Sequence, residues 1–197
     1  MIYRFKINGV PLQTGDLICT TDGGSVIIAG EFWRLLGKLV PGEVDHIAVY
    51  VGPGGRSVES GLGGVHLFEA TDPWDAEAML SQRFFPDQFY GIAYPLKGQG
   101  LPQEQETRIR ESVAAYCLAQ ARARKPYNIN YLDSQTDKAF YCSQLAYKAY
   151  LPHGIDLNTG QDIPDLKGTA SIIFPQEIWA GCPHRRSRPR PPRRAKK

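Results

Sequence analysis

A chain of 197 residues with 42% hydrophobic and 22% charged side chains can bury roughly 70% of its unfolded surface, which excludes a disordered chain and a mini-protein dependent on disulfides or a metal. Four cysteines without a C-x-x-C pair exclude a zinc-ribbon or thioredoxin-type motif and predict free thiols. The net charge of +3 is unevenly spread: "RRSRPRPPRRAKK" (185–197) holds eight of the 23 basic residues, leaving 15 basic against 20 acidic residues in 1–184, near −5.

In chain order, "MIYRFKINGVPLQTGDL" has charges and turn residues where a signal peptide needs an unbroken apolar segment, and no stretch approaches membrane-spanning length. A cytoplasmic chain is expected, with export by a leaderless machine as an open alternative. "TGDLICTT" reads as a turn leading into a strand, and "SVIIAGEFWRLLGKLV" as a buried helix on the spacing of Ile28, Phe32, Leu35, Leu36 and Leu39, ended by Pro41 and Gly42. "DHIAVYV" (45–51), "RSVES" (56–60) and "VHLFEA" (65–70), separated by "GPGG" and "GLGG", predict consecutive hairpins. "FYGIAYPL" (89–96) is a further strand. Acids at its start, bases at its end and a stripe of Ile109, Val113, Tyr116, Cys117 and Ala121 predict a helix over 102–125. A polar loop, "YNINYLDSQTDK", precedes a second helix beginning near Cys142, where Leu145, Ala146 and Ala149 follow at helical spacing. From residue 152 the pattern is mostly loop, with one apolar run at "ASIIF". One domain over 1–184 is expected, and the Arg/Pro-rich run 185–197 reads as a disordered basic tail suited to an anionic partner, lipid or nucleic acid, or to a proline-binding module.

Cysteine-based nucleophilic catalysis needs a thiolate, an imidazole to hold its proton and a polar group to orient the imidazole. Of the four histidines, His153 follows a proline at a helix end and His184 lies at the root of the tail, whereas His46 and His66 fall on strands. With "GPGG" as a four-residue loop, Ala48 faces Glu59, which makes His46 and Glu59 diagonal neighbours on one face of the sheet. "GLGG" in turn pairs Glu59 with His66 and puts Glu69 on the opposite face. A slip of one residue reverses these faces, so the third catalytic group is ordered Glu59, then His66, then Glu69. "AFYC" offers no Ser, Thr, Asp or Asn ahead of the Cys142 helix, so its first N–H groups stay free to stabilise a thiolate or an oxyanion.

"GDLI" (15–18), "DHIAVYVG" (45–52), "SVES" with "GLGGV" (57–65), "KPYN" (125–128) and "FYCSQLAYKAY" (140–150) together resemble the circularly permuted papain-like cysteine hydrolases related to NlpC cell-wall peptidases, often called YiiX-like. The order is the permuted one, histidine and acid before cysteine, over roughly residues 12–151. The resemblance implies an α+β papain-like fold, a small antiparallel sheet or barrel packed against helices. It implies Cys142 as nucleophile, His46 as general base and then acid, and Glu59 as the orienting residue. Tyr127 and Tyr141 match aromatic positions flanking the site, where with His66 they are candidates to bind substrate; Asp16 matches a structural turn residue. The expected activity is a cysteine amidase or peptidase acting on a short peptide or peptidoglycan stem peptide, possessing no metal or cofactor, a monomer, and delivered as a leaderless cell-wall-degrading effector. Two alternatives stand beside it: a thiol acyltransferase of the lecithin:retinol acyltransferase type, and a non-catalytic binding module with a basic tail.

Overall fold

The computed structural model describes residues 1–21, 42–83, 85–161 and 168–187. It opens on a hairpin absent from the expectations above, β1 (Arg4–Ile7) and β2 (Val10–Gln13), paired from Arg4↔Gln13 to Ile7↔Val10. Asn8 and Gly9 make its turn with φ of 50° and 76°, the left-handed pair that an Asn-Gly type I′ turn supplies.

The remaining strands are β3 (Leu17–Thr21), β4 (His46–Tyr50), β5 (Arg56–Gly61), β6 (Gly64–Glu69), β7 (Gln88–Ala93) and β8 (Arg185–Ser187), all antiparallel in the order β6-β5-β4-β3-β7-β8. The central strand β4 is buried along its whole length because both faces of the sheet are covered. Leu17, Cys19, Ile47 and Val49 form one face, packed in the core that contains the buried stripes of α2 (Gln103–Arg122) and α3 (Cys142–Tyr150). Ile18, Ala48, Tyr50 and Ile92 form the other, packed with Ile7 and Leu12 of the first hairpin and Met79 beside the short α1 (Leu80–Arg83). The period-2 alternation of the strands thus feeds two apolar layers from one sheet.

Helix α2 presents Ile109, Val113, Cys117 and Ala121 to the core as its periodicity predicts. It also buries Arg110, whose guanidinium holds Asp16 at 2.7 Å and the Thr14 carbonyl at 2.8 Å, so Asp16 serves the turn before β3. Burial pushes the Asp16 carboxyl up to about 6 despite the opposing pull of Arg110.

Two expectations need correction. The tail does not begin at 185: Arg185–Ser187 form β8, paired with Gly91–Ala93 of β7, because a sheet-edge strand offers unpaired N–H and C=O groups to any extended neighbour. The "ASIIF" run leads into a helix, α4 (Pro175–Gly181), with Pro175 in its first turn and Glu177 Oε2 accepting the Phe174 N–H at 3.2 Å. The helix expected around residues 25–40, and residues 188–197 of the tail, lie outside the described residues. The class is α+β, an antiparallel sheet packed against helices. No helix among the described residues is long and apolar enough to cross a membrane.

Candidate active site

Register decides which polar side chains meet. Ala48 pairs with Glu59, and Glu59 with His66, so His46, Glu59 and His66 project from one face of the sheet. His46 Nε2 lies 2.9 Å from Glu59 Oε2, and His66 Nε2 lies 3.1 Å from Glu59 Oε1. Glu69 pairs with Arg56 at the far end of the hairpin and is exposed, with its backbone N–H donated to Gln82 Oε1, so it stands apart from this cluster.

Glu59 has no solvent exposure and would be costly to bury alone. Arg83, at the end of α1, supplies what the strand residues lack. Its Nε donates to both Glu59 oxygens at 3.0 and 3.1 Å, and its Nη2 donates to Oε2 at 2.7 Å. The other edge of the guanidinium is bidentate to Asp87, at 2.5 and 2.9 Å, and the rings of Phe68, Trp74 and Phe85 lie 4.5 to 4.9 Å from its carbon. Burial by itself would raise the Glu59 carboxyl, but Arg83 and the hydrogen bonds from His46 and His66 hold it well below the usual range. Sequence reasoning missed Arg83. The one legible sign was Asp87 four residues on, the spacing of a helical ion pair.

An ionised carboxylate only accepts, so the His46 nitrogen facing Glu59 carries a proton, and Nδ1 is the nitrogen left for a second partner. Cys142 is the strongest influence that raises the imidazole's pKa, through its charge and through hydrogen bonding. Burial alone would lower the His46 pKa; Cys142 and Glu59 overcome it and push it up to about 10. His66 is constrained further. Its Nδ1 faces the Gly64 carbonyl at 2.9 Å and its Nε2 faces Glu59, two acceptors, so the ring must donate from both nitrogens and is an imidazolium. Its pKa is accordingly raised: burial pulls it down and Glu59 outweighs that pull.

Cys142 is the first residue of α3 and is 2% exposed. Tyr141 precedes it in extended conformation and provides no side-chain cap, so the first-turn amides keep the dipole end of the helix open beside the sulfur. The elements around the sulfur are tied down separately. Ser143 Oγ donates to the Ile173 carbonyl at 2.7 Å, and Ser60 Oγ to the Phe140 carbonyl at 2.5 Å. Gln144, fully buried, accepts from the Tyr141 N–H and from Asn128 Nδ2 and donates to the carbonyls of Ser134 and Thr136, which fastens the 128–136 loop to the helix start. Tyr141 points into the core, where its hydroxyl accepts the Ile173 N–H. Tyr131, which sequence reasoning did not single out, packs against Tyr141 with ring centroids 5.3 Å apart and the rings tilted by 52°, feels the Cys142 charge, and shares a hydroxyl–hydroxyl hydrogen bond with Tyr127. The remaining cysteines, Cys19, Cys117 and Cys182, are buried and free, and burial pushes their thiols up.

A family model described as the permuted papain-like amidase enzymes, YaeF/YiiX, C92 family, matches residues 20–167. It runs further toward the C-terminus than the motifs quoted above and leaves out "GDLI" at 15–18. Searches of curated proteins and of solved structures found no match. The match covers well over half of the 197 residues, and its span takes in His46, Glu59 and Cys142, so the chain belongs to the permuted papain-like amidase family, a family of hydrolases.

Proposed function

We propose that the chain hydrolyses an amide bond through an acyl-enzyme on Cys142. His46 already holds the proton given up by the Cys142 thiol, as its raised pKa favours; the sulfur attacks the carbonyl carbon, and the oxyanion is held by the uncapped first-turn amides of α3. His46 returns that proton to the departing amine, and the C–N bond breaks. A water molecule then gives its proton to His46 and its oxygen to the acyl carbon, releasing the acid and the free thiol. Glu59 accepts from His46 Nε2 throughout and keeps Nδ1 aimed at the sulfur. The observation that carries this reading is the 2.9 Å contact of His46 Nε2 with Glu59 Oε2, on an imidazole whose pKa Cys142 raises more than any other group.

The resemblance to NlpC-related enzymes favours a short peptide or peptidoglycan stem peptide as substrate, and a leaderless exported effector as its biological setting. Tyr131, within electrostatic reach of Cys142, and its hydrogen-bonded neighbour Tyr127 are the aromatic candidates for substrate contact. The test is amine release from purified muropeptides and from short synthetic peptides. Cys142→Ala should abolish it, and His46→Ala should lower kcat by about 10²–10⁴-fold. Undiminished turnover by Cys142→Ala would end the proposal; turnover of peptides with none on muropeptides would remove the cell-wall substrate alone.

A further inference from the structure

At the end of the sheet remote from Cys142 lies a second cavity, of about 550 Å³, within the range of roughly 300–1,000 Å³ that small-molecule sites occupy. Its place follows from topology. Cys142 starts α3 and works on His46 at the start of β4; Tyr150 ends α3 with its hydroxyl on the Gly15 carbonyl, beside Tyr50 at the end of β4. A nine-residue helix separates the two sites by about 12 Å. The cavity opens between the first hairpin, the 94–101 loop, the start of α2 and β8, and none of Cys142, His46 or Glu59 lines it.

Its chemistry is two-sided. Phe5, Leu12, Leu96 and Leu101 give it an apolar lining. Arg4, Lys6, Lys97 and Arg186 ring it, all exposed and none with an ion-pair partner among the described residues; Lys97 rests over the Tyr94 ring at 5.7 Å. The carboxylates of the lining, Asp16 and Glu106, are both paired with Arg110, at 2.7 and 2.8 Å, which leaves one net negative charge against the four rim cations. A second observation comes from the chain itself. Arg186 is one residue from the end of β8, and residues 188–197, which follow directly, carry six more Arg and Lys. Four rim cations thus stand on a chain that is net acidic over residues 1–184, and the basic run follows one of them in sequence.

We propose that this face docks the protein on an anionic lipid surface, with one acyl chain entering the apolar cavity while the rim cations contact phosphate headgroups. The lining selects lipid over nucleic acid, because a phosphodiester backbone satisfies the cations and leaves four apolar side chains unfilled.

The test is co-sedimentation of the full chain with phosphatidylglycerol vesicles and with phosphatidylcholine vesicles. Binding to the first and not the second is expected. Each basic side chain near an anionic surface multiplies partitioning about fivefold, so Arg4→Ala with Lys97→Ala should weaken it about 25-fold. Leu101→Trp, which narrows the cavity and keeps every charge, should also weaken vesicle binding while leaving binding of inorganic phosphate unchanged. Circular dichroism establishes that each variant is folded. Cys142→Ala should bind vesicles as the native chain does, and the Arg4/Lys97 variant should still hydrolyse soluble amides, so failure here is separable from failure of the amidase reading. Equal binding to both vesicle types overturns the proposal. So does binding that survives the Arg4/Lys97 change and is lost on truncation after Ser187, or that duplex DNA displaces with no effect of Leu101→Trp.

Discussion

A carboxylate sealed from solvent keeps its charge only where cationic donors surround it, and Glu59 has three: His46, His66 and Arg83. In the proposed mechanism Arg83 is a positioning residue, acting on the sulfur through Glu59 and His46. Arg83→Gln strips the guanidinium from both Glu59 and Asp87 and should cost about 3–5 kcal/mol in urea unfolding, whereas Arg83→Lys, which retains the charge and loses the fork, should cost less. Equal stability of the Gln variant and the native chain would contradict the clamp. The protonation states are checked by nitrogen-15 NMR. His66 should show both ring nitrogens protonated at neutral pH, and His46 should titrate at lower pH in Cys142→Ala, since the charge and hydrogen bond of the sulfur are what lift it against burial. An unmoved His46 titration would separate it from Cys142. Of these residues, Cys142, His46 and Glu59 were legible from chemistry and spacing. Arg83 was not, because 24 residues separate it from Glu59 and no local period links a short helix to a strand two elements earlier.

The elements owe their meeting to a few backbone positions. Gly64 turns β5 into β6 at φ +85°, and a Cβ there would stand 2.5 Å from the Lys125 carbonyl oxygen, which already accepts the Val65 N–H at 2.8 Å. Gly64→Ala should therefore destabilise by more than the roughly 1 kcal/mol of an ordinary left-handed alanine and loosen the 125–127 strap beside Tyr127, seen as faster amide exchange at Val65. Protection of Val65 equal to that of the native chain would rule this out. Gln144 is the corresponding device at α3. Gln144→Leu leaves the Tyr141 N–H and buried carbonyls of the 133–136 loop unpaired, and should cost about 2–3 kcal/mol with raised exchange confined to that loop. Hairpin elements were readable because turn chemistry sits in adjacent residues, and "GPGG" and "GLGG" set the register that brings Glu59 beside both histidines. The Asn8-Gly9 turn was equally readable and was passed over in a segment judged only for its lack of an apolar leader. Helix α4 hid behind a short apolar run whose Pro175 and Glu177 start signals follow it.

Taken over the whole molecule, the buried ionisable groups set a pH window for stability. Glu59, held below its ordinary value of 4.5, stabilises the fold above that value, and its contribution fades only as pH falls through the depressed folded one. His46, raised from 6.5 to about 10, contributes fully below 6.5 and loses its contribution as pH climbs through 10. Asp16, raised from 3.8 to about 6, works in the opposite sense to Glu59: its protonated form suits the fold, and that benefit is gone above 6. The urea midpoint should therefore be greatest at about pH 4–5 and decline toward pH 10, with a shallower alkaline decline in Cys142→Ala; a midpoint that rises between pH 6.5 and 10 would refute the assignment. The sequence by itself determined the hairpin registers and the uncapped helix start at Cys142, because each depends on residues within a turn or a strand of one another, and the α+β class was implied by the family resemblance. Only the tertiary structure decided that Arg83 closes over Glu59, that Cys142 and His46 meet from elements 96 positions apart, and that Arg185–Ser187 join the sheet edge. These are contacts between distant segments, formed where packing two layers on one sheet leaves a buried charge or an open ladder to be satisfied, and no local pattern in the chain encodes them.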